Sequence, residues 1–213
     1  MNIKLLNKII KEELSAINGN LNDNFYRWFG NSKVVDKSGN PIVVYHGSKS
    51  KDFTEFSISN DIGFHFSRSD KVAKDMAGTY EDDYGFTNEI KPIEAYLSIQ
   101  NLAGVPDLEF WRKNDVLKYV EKDNFHRKRN NEPPLNYEYN SSFSLLDNIK
   151  MLAFEENEMT GDWKSIDGFI YYNEYEGNFT TNSRWSFIAL KSNQIKSVDN
   201  DGTWDLNDNN IYS

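Results

Sequence analysis

The chain has 213 residues, 38% of them hydrophobic and 27% charged, with a formal net charge of −9 and no cysteine. These values describe one soluble domain able to bury a core, and they exclude disulfide scaffolds, thiolate zinc sites and thiol nucleophiles. No apolar run approaches the ~20 residues of a membrane-spanning helix, and the acidic balance argues against a broad phosphate-binding surface.

Residues 2–16 place Ile3, Leu5, Leu6, Ile9, Ile10 and Leu14 at helical spacing, and Asn18-Gly19 ends that helix. The stretch MNIKLLNKIIKEEL carries acids and lacks the small-residue cleavage site of a secretory signal. The aromatic run NDNFYRWFG predicts a short helix. Val34-Val35 and Ile42 to Tyr45 then flank Asp36-Lys37-Ser38-Gly39-Asn40-Pro41, the signature of a hairpin. Residues 47–60 read as a polar loop anchored by Phe53 and Phe56.

Phe64 to Phe66 predicts a short strand, and Ser67 or Ser69 can cap a helix that begins near Asp70. Residues 79–89 read as an acidic loop and IEAYLSI as a strand. Residues 107–123 read as a helix, followed by a polar loop containing Pro133-Pro134 and a second helix over SFSLLDNIKMLAFEENE. GFIYY and WSFIAL predict late strands, and DNDGTWDLNDNNIYS an extended tail. No flexible linker divides the chain. The reading is a single α+β domain over 1–213, with an N-terminal helix within 1–24 and a helical insertion at 105–160.

Only three histidines occur. His46 ends a strand before Gly47-Ser48, where a ring can project into a cleft, or be a buried, satisfied imidazole capping the strand. Local sequence alone favours the latter. His65 alternates with Phe64 and Phe66, so it faces solvent or a cleft if those rings face the core. His126 reads as part of a solvated basic loop. Ser67-Arg68-Ser69 before a helix offers a site for an anion such as a diphosphate, or simply an N-cap, the commoner role. In Asn173-Glu174-Tyr175-Glu176-Gly177 either carboxylate can act as a base or steady a developing cation, or the segment is an acidic surface turn. The chain has no phosphate-binding GxxxxGK[ST] loop, no GxGxxG, no HExxH and no GxSxG.

The order of these pieces is more specific than any one of them. FYRWFGNSKVVDKSGNPIVVYHGS, IGFHFSRSDKVAKDMA, DGFIYYNEYEG and SFIALKSNQIKSVDNDGTWD together resemble the ADP-ribosyltransferase fold of the diphtheria-toxin and poly(ADP-ribose) polymerase class, most of all its phage and prophage members. The resemblance spans about residues 25–205 apart from the insertion. It implies a split pair of curved β-sheets holding NAD, as co-substrate and without a metal, in the cleft between them. It implies that His46 contacts the adenosine-side ribose and that Gly47 offers its backbone to the nicotinamide carboxamide, with the small Ser48 alongside. It further implies that His65, where many relatives have tyrosine, packs on nicotinamide in the same strand as Phe66 and Ser67. Met76 stands where many relatives place a second tyrosine, and Arg68 would meet the diphosphate.

At the position of the family's acid or glutamine this chain has Ser186. A carboxylate from elsewhere is therefore expected, Glu174 first and Glu176 next to it, and Gln194 is expected to be structural. The implied function is mono-ADP-ribosylation of a host macromolecule, a protein rather than nucleic acid, in the cytoplasm of a phage-infected cell. The alternatives are an inactive module that binds NAD or protein, an NAD glycohydrolase, or a structural phage protein whose fold is coincidental.

Overall fold

The computed structural model describes residues 21–49, 53–57, 62–81, 87–175 and 184–213. The helix expected at 2–16 and Glu176 lie outside these residues. Two helices surround the first strands: α1 (Asp23–Phe29) precedes β1 (Val44–His46), and α2 (Asp70–Ala77) follows β2 (Phe64–Ser67). A short pair, β3 (Thr79–Glu81) and β4 (Thr87–Glu89), leads to β5 (Ile93–Leu97) and β6 (Leu102–Gly104). Two longer helices follow, α3 (Lys113–Arg129) and α4 (Leu145–Glu156). The chain ends with β7 (Gly168–Tyr172), β8 (Trp185–Ala189) and β9 (Ile195–Ser197).

Seven strands form one sheet in the order β6-β7-β8-β2-β1-β5-β9. Only β6 and β7 pair in parallel; the other neighbours are antiparallel. The sheet is thin at one place. β2 and β8 match over four residue pairs and β1 and β5 over three, but β1 and β2 match only at Tyr45↔Ser67. The fold is α+β, as expected, and this single pair is the seam between two halves, β6-β7-β8-β2 and β1-β5-β9.

Alternation sets which side chains leave the sheet on each face. Phe64 and Phe66 of β2 bury with Phe187, Ala189, Leu97 and Ile195 in a core on one face. Phe169, Tyr171 and Ile188 point the other way, into a core completed by Val116, Ile149 and Leu152 of the 105–160 segment. A third cluster joins α1 to the C-terminal tail: Phe25 meets Tyr96 edge-on at 5.1 Å and Trp204 at 4.8 Å.

Several expectations about local structure are corrected. The turn at 36–41 forms, with the Asp36 carboxylate accepting from the amides of Ser38 and Asn40 and Gly39 at φ +84°. Its flanks pair as an isolated bridge at Val35↔Pro41, closed by the Asp36 amide on the Asn40 carbonyl at 2.8 Å and the Ile42 amide on the Val34 carbonyl at 3.3 Å. Within 79–89, read as a loop, residues 79–81 and 87–89 pair as β3 and β4. Helix α3 runs on to Arg129 through the stretch read as a loop, so His126 is helical. His126, Arg127, Lys128 and Arg129 crowd its last turn, where cations meet the negative end of the helix dipole, and Arg127 pairs with Asp123 one turn back. The tail is packed rather than merely extended: Trp204 and Ile211 are buried, and the Ile211 amide donates to the Thr54 carbonyl at 2.7 Å.

Candidate active site

The seam is built from the end of β1. The ladder stops at Tyr45↔Ser67, and beyond it the carbonyl oxygen of His65 accepts from the side chain of His46, Nδ1 to O, at 2.7 Å. A carbonyl only accepts, so Nδ1 carries the proton, and in the neutral ring Nε2 is an acceptor. Burial lowers the His46 pKa, opposed by the carbonyl bond. The ring is wedged against Phe56, centroids 4.9 Å apart, and Phe66, 5.3 Å apart. The next residue must be glycine for packing reasons. A Cβ at Gly47 would lie 2.2 Å from the carbonyl oxygen of Ala73 in α2.

A cavity of about 550 Å³ opens along this seam, within the range of small-molecule sites. The β1 side contributes His46, Gly47 and Ser48, with Phe53, Glu55 and Phe56 from the following loop. Helix α2 contributes Val72, Ala73 and Met76. The β2 side contributes Gly63 to Ser67, and beyond it stand Trp111, Tyr171, Asn173 and Ser186. Ser186 is buried and pairs in register with Ser67 on one side and Tyr171 on the other. Three rings gather on this wall: His65, Trp111 and Tyr171 meet edge-on, and Nδ1 of His65 lies 3.1 Å from the Tyr171 hydroxyl. Burial, with a smaller contribution from His46, lowers the His65 pKa to about 4, so the ring is neutral near pH 7.

The cavity thus brings together His46, Gly47, Ser48, His65, Phe66, Ser67, Met76 and Ser186 from the residues singled out in the sequence. Ser67 also serves the next helix, its hydroxyl accepting from the Ser69 amide at 3.0 Å, while Ser69 is the cap, accepting from Val72. Arg68 is exposed beside this turn and is not part of the lining; its amide donates to the Trp185 carbonyl. Glu174 follows cavity-lining Asn173 but lines a neighbouring groove with Asp107, Asp115, Lys118 and Tyr175. Gln194 is a brace: its Oε1 accepts from the amides of Leu190 and Lys191, and its Nε2 donates to the carbonyls of Ser98 and Asp167.

Sequence reasoning passed over Glu55, Trp111, Tyr171 and Asn173. Alternation along GFIYY puts Tyr171 on the face opposite Ile170, and registering that strand against Ser186 would have located it. No local signal marks Trp111, which sits in what reads as the start of a helix. Glu55 is the carboxylate on the cavity lining among the described residues; its Oε1 accepts from Nδ2 of Asn209 at 2.7 Å. Among the described residues, no group of three or more His, Asp or Glu side chains could hold a metal ion, and no helix is long and apolar enough to cross a membrane.

The model of a family described as ADP-ribosyltransferase in polyvalent proteins matches residues 36–204, a span that contains the whole cavity lining, and the chain belongs to that family. No curated protein and no solved structure matches the chain.

Proposed function

We propose that this member of an ADP-ribosyltransferase family takes NAD into the cavity at the β1–β2 seam, releases nicotinamide and transfers ADP-ribose to a host protein in the cytoplasm of a phage-infected cell. The observation that carries the reading is the convergence of His46, Gly47 and Ser48 with His65, Ser67 and Ser186 on one cavity. The lining suits a dinucleotide. Flat rings at Phe56, His65, Trp111 and Tyr171 offer surfaces for planar heterocycles, and the hydroxyls of Ser48, Ser67 and Ser186 offer polar partners.

NAD supplies the glycosidic bond between nicotinamide and ribose, the bond that breaks. The protein's part is to hold and to polarise. His46 accepts a hydroxyl of the adenosine-side ribose at Nε2 while Nδ1 stays on the His65 carbonyl. Gly47 lends its backbone to the carboxamide, and neutral His65 and Met76 pack on the nicotinamide ring. Arg68, exposed at the start of α2, reaches for the diphosphate. Glu174, in the neighbouring groove, or else Glu176, which lies outside the described residues, steadies the positive charge that develops on the ribose and orients the acceptor. A placed group of this kind commonly contributes ~3–4 kcal/mol. The net charge of −9 favours a target with a basic patch through long-range attraction.

One observation favours a second reading. Ser186 is a buried hydroxyl at the position where the resemblance calls for an acid, which fits a protein that binds NAD without transferring it, or that passes ADP-ribose to water. NAD labelled in its adenylate, added to a bacterial lysate with the protein, separates the readings. Label appearing in protein together with free nicotinamide supports transfer. Nicotinamide without labelled macromolecule supports hydrolysis, and binding without nicotinamide release supports the inactive module.

A further inference from the structure

We infer that Trp111, delivered by the helical segment at 105–160, is a substrate-binding residue that grips the positively charged nicotinamide ring of NAD; the inference rests on the reading that NAD occupies the seam cavity. Trp111 lies just before α3, yet its ring lines the cavity. It stands 5.3 Å from the His65 ring and 5.1 Å from that of Tyr171, at interplanar angles of 74° and 70°. Both neighbours therefore meet the indole edge-on, and neither stacks in parallel on its face.

The backbone that holds Trp111 is strained. Glu109 has φ +58° and Trp111 φ +54°, the left-handed region that a bulky side chain rarely enters. Such conformations persist where the surroundings over-determine them, and they cluster at ligand clamps. Two contacts do so here. The Trp111 amide donates to the carbonyl of Leu108, whose side chain is buried in the core of the segment. The Asp107 carboxylate accepts from the Glu109 amide through Oδ1 at 3.1 Å and from the Glu174 amide through Oδ2 at 2.7 Å. One carboxylate therefore ties the turn bearing Trp111 to the turn bearing Glu174.

The chemistry selects the ligand end. Indole is the side chain that attracts a cation most strongly over its face, and the nicotinamide ring of NAD is a cation. As the C–N bond breaks, its electron pair passes to the ring nitrogen and the ring leaves neutral. Trp111 therefore grips the ring more strongly before cleavage than during it. An interaction of that kind lowers KM and, because it favours the bound ground state over the transition state, lowers kcat rather than raising it.

The test uses the full chain, with Trp111→Ala and Trp111→Phe checked by thermal melting, and calorimetric titration with NAD and separately with ADP-ribose, which lacks the nicotinamide. Trp111→Ala is expected to weaken NAD about tenfold or more and Trp111→Phe by less, both leaving ADP-ribose affinity within about twofold and raising KM for nicotinamide release without lowering kcat. If the alanine variant does not fold, Trp111→Phe alone is read, with loss of NAD-induced quenching of tryptophan fluorescence as a second signal. Unchanged NAD affinity in the folded variants, or equal loss of NAD and ADP-ribose, overturns the role while the NAD reading stands. A wild-type chain that binds neither ligand overturns both.

Discussion

The side chain of His46, one residue beyond the last residue of β1 paired with β2, donates through Nδ1 to the carbonyl oxygen of His65, two residues from that residue's β2 counterpart, at 2.7 Å. The imidazole takes over where the backbone ladder stops. The two halves of the sheet can then part around a cavity without leaving that carbonyl unpaired, and the same ring keeps an acceptor nitrogen for a ligand.

Replacing His46 with Ala is therefore expected to weaken the seam as well as any binding. The lost hydrogen bond and the loss of ring contacts with Phe56 and Phe66 amount to about 1–3 kcal/mol. His46→Asn, whose amide keeps a donor, should recover part of this. Chemical denaturation of the two variants checks the order; equal stability of wild type and His46→Ala would remove the structural role.

Acid should destabilise the protein through His65. Its folded pKa is lowered from 6.5 to about 4 by burial and by His46. Between those values the unfolded chain binds a proton that the folded chain refuses, so stability falls as pH drops from about 6.5 to about 4 and is fully present above. The full effect is on the order of 3 kcal/mol. His65→Asn should flatten the pH dependence of the denaturation midpoint over this window, and an unchanged slope would show that His65 titrates normally.

Gly47→Ala should be harmful although glycine-to-alanine changes often stabilise. The new Cβ would meet the Ala73 carbonyl at 2.2 Å, a backbone atom that cannot swing aside. Helix α2 must shift away from the end of β1, at a cost of about 1–3 kcal/mol. Thermal melting reads the loss, and a variant as stable as wild type would mean that α2 yields freely.

Much of this architecture was legible in the sequence because it is local. Alternation in GFHFS set His65 opposite Phe64 and Phe66, and a serine before Asp70, Ser67 or Ser69, announced a capped helix, which Ser69 caps. Other features depend on partners distant in sequence. Helix α3 outran its expected end because Asp123 and the helix dipole stabilise a basic stretch that resembles a loop by composition. The tail lacks periodicity, yet it is buried through Trp204, Ile211 and a lysine on β9. Trp111 joins the cavity wall only because the 105–160 segment folds onto the sheet face that carries His65, and Tyr171 because β7 pairs with β8 at Ser186. The separation of Glu174 from Asn173 into two hollows is set by a turn whose geometry no spacing rule encodes.

That lysine, Lys196, is wholly buried and donates through Nζ to the carbonyls of Asp208 and Asn210, at 3.0 and 2.7 Å. Burial lowers its pKa, countered by Asp208, Asp205 and Asp201. Lys196→Ala should leave both carbonyls unpaired and release the tail, which braces the loop bearing Glu55. Hydrogen exchange at the Ile211 amide should quicken at least tenfold; unchanged protection would mean that the tail holds without the lysine.

The occupant of the seam cavity is tested most directly by titrating the wild-type chain and His46→Ala with NAD in a calorimeter. Saturable one-to-one binding by the wild type, weakened at least tenfold in a variant that melts as a folded protein, is the expected result. A folded wild-type chain that takes up no NAD, or a variant that binds it equally well, would contradict the account.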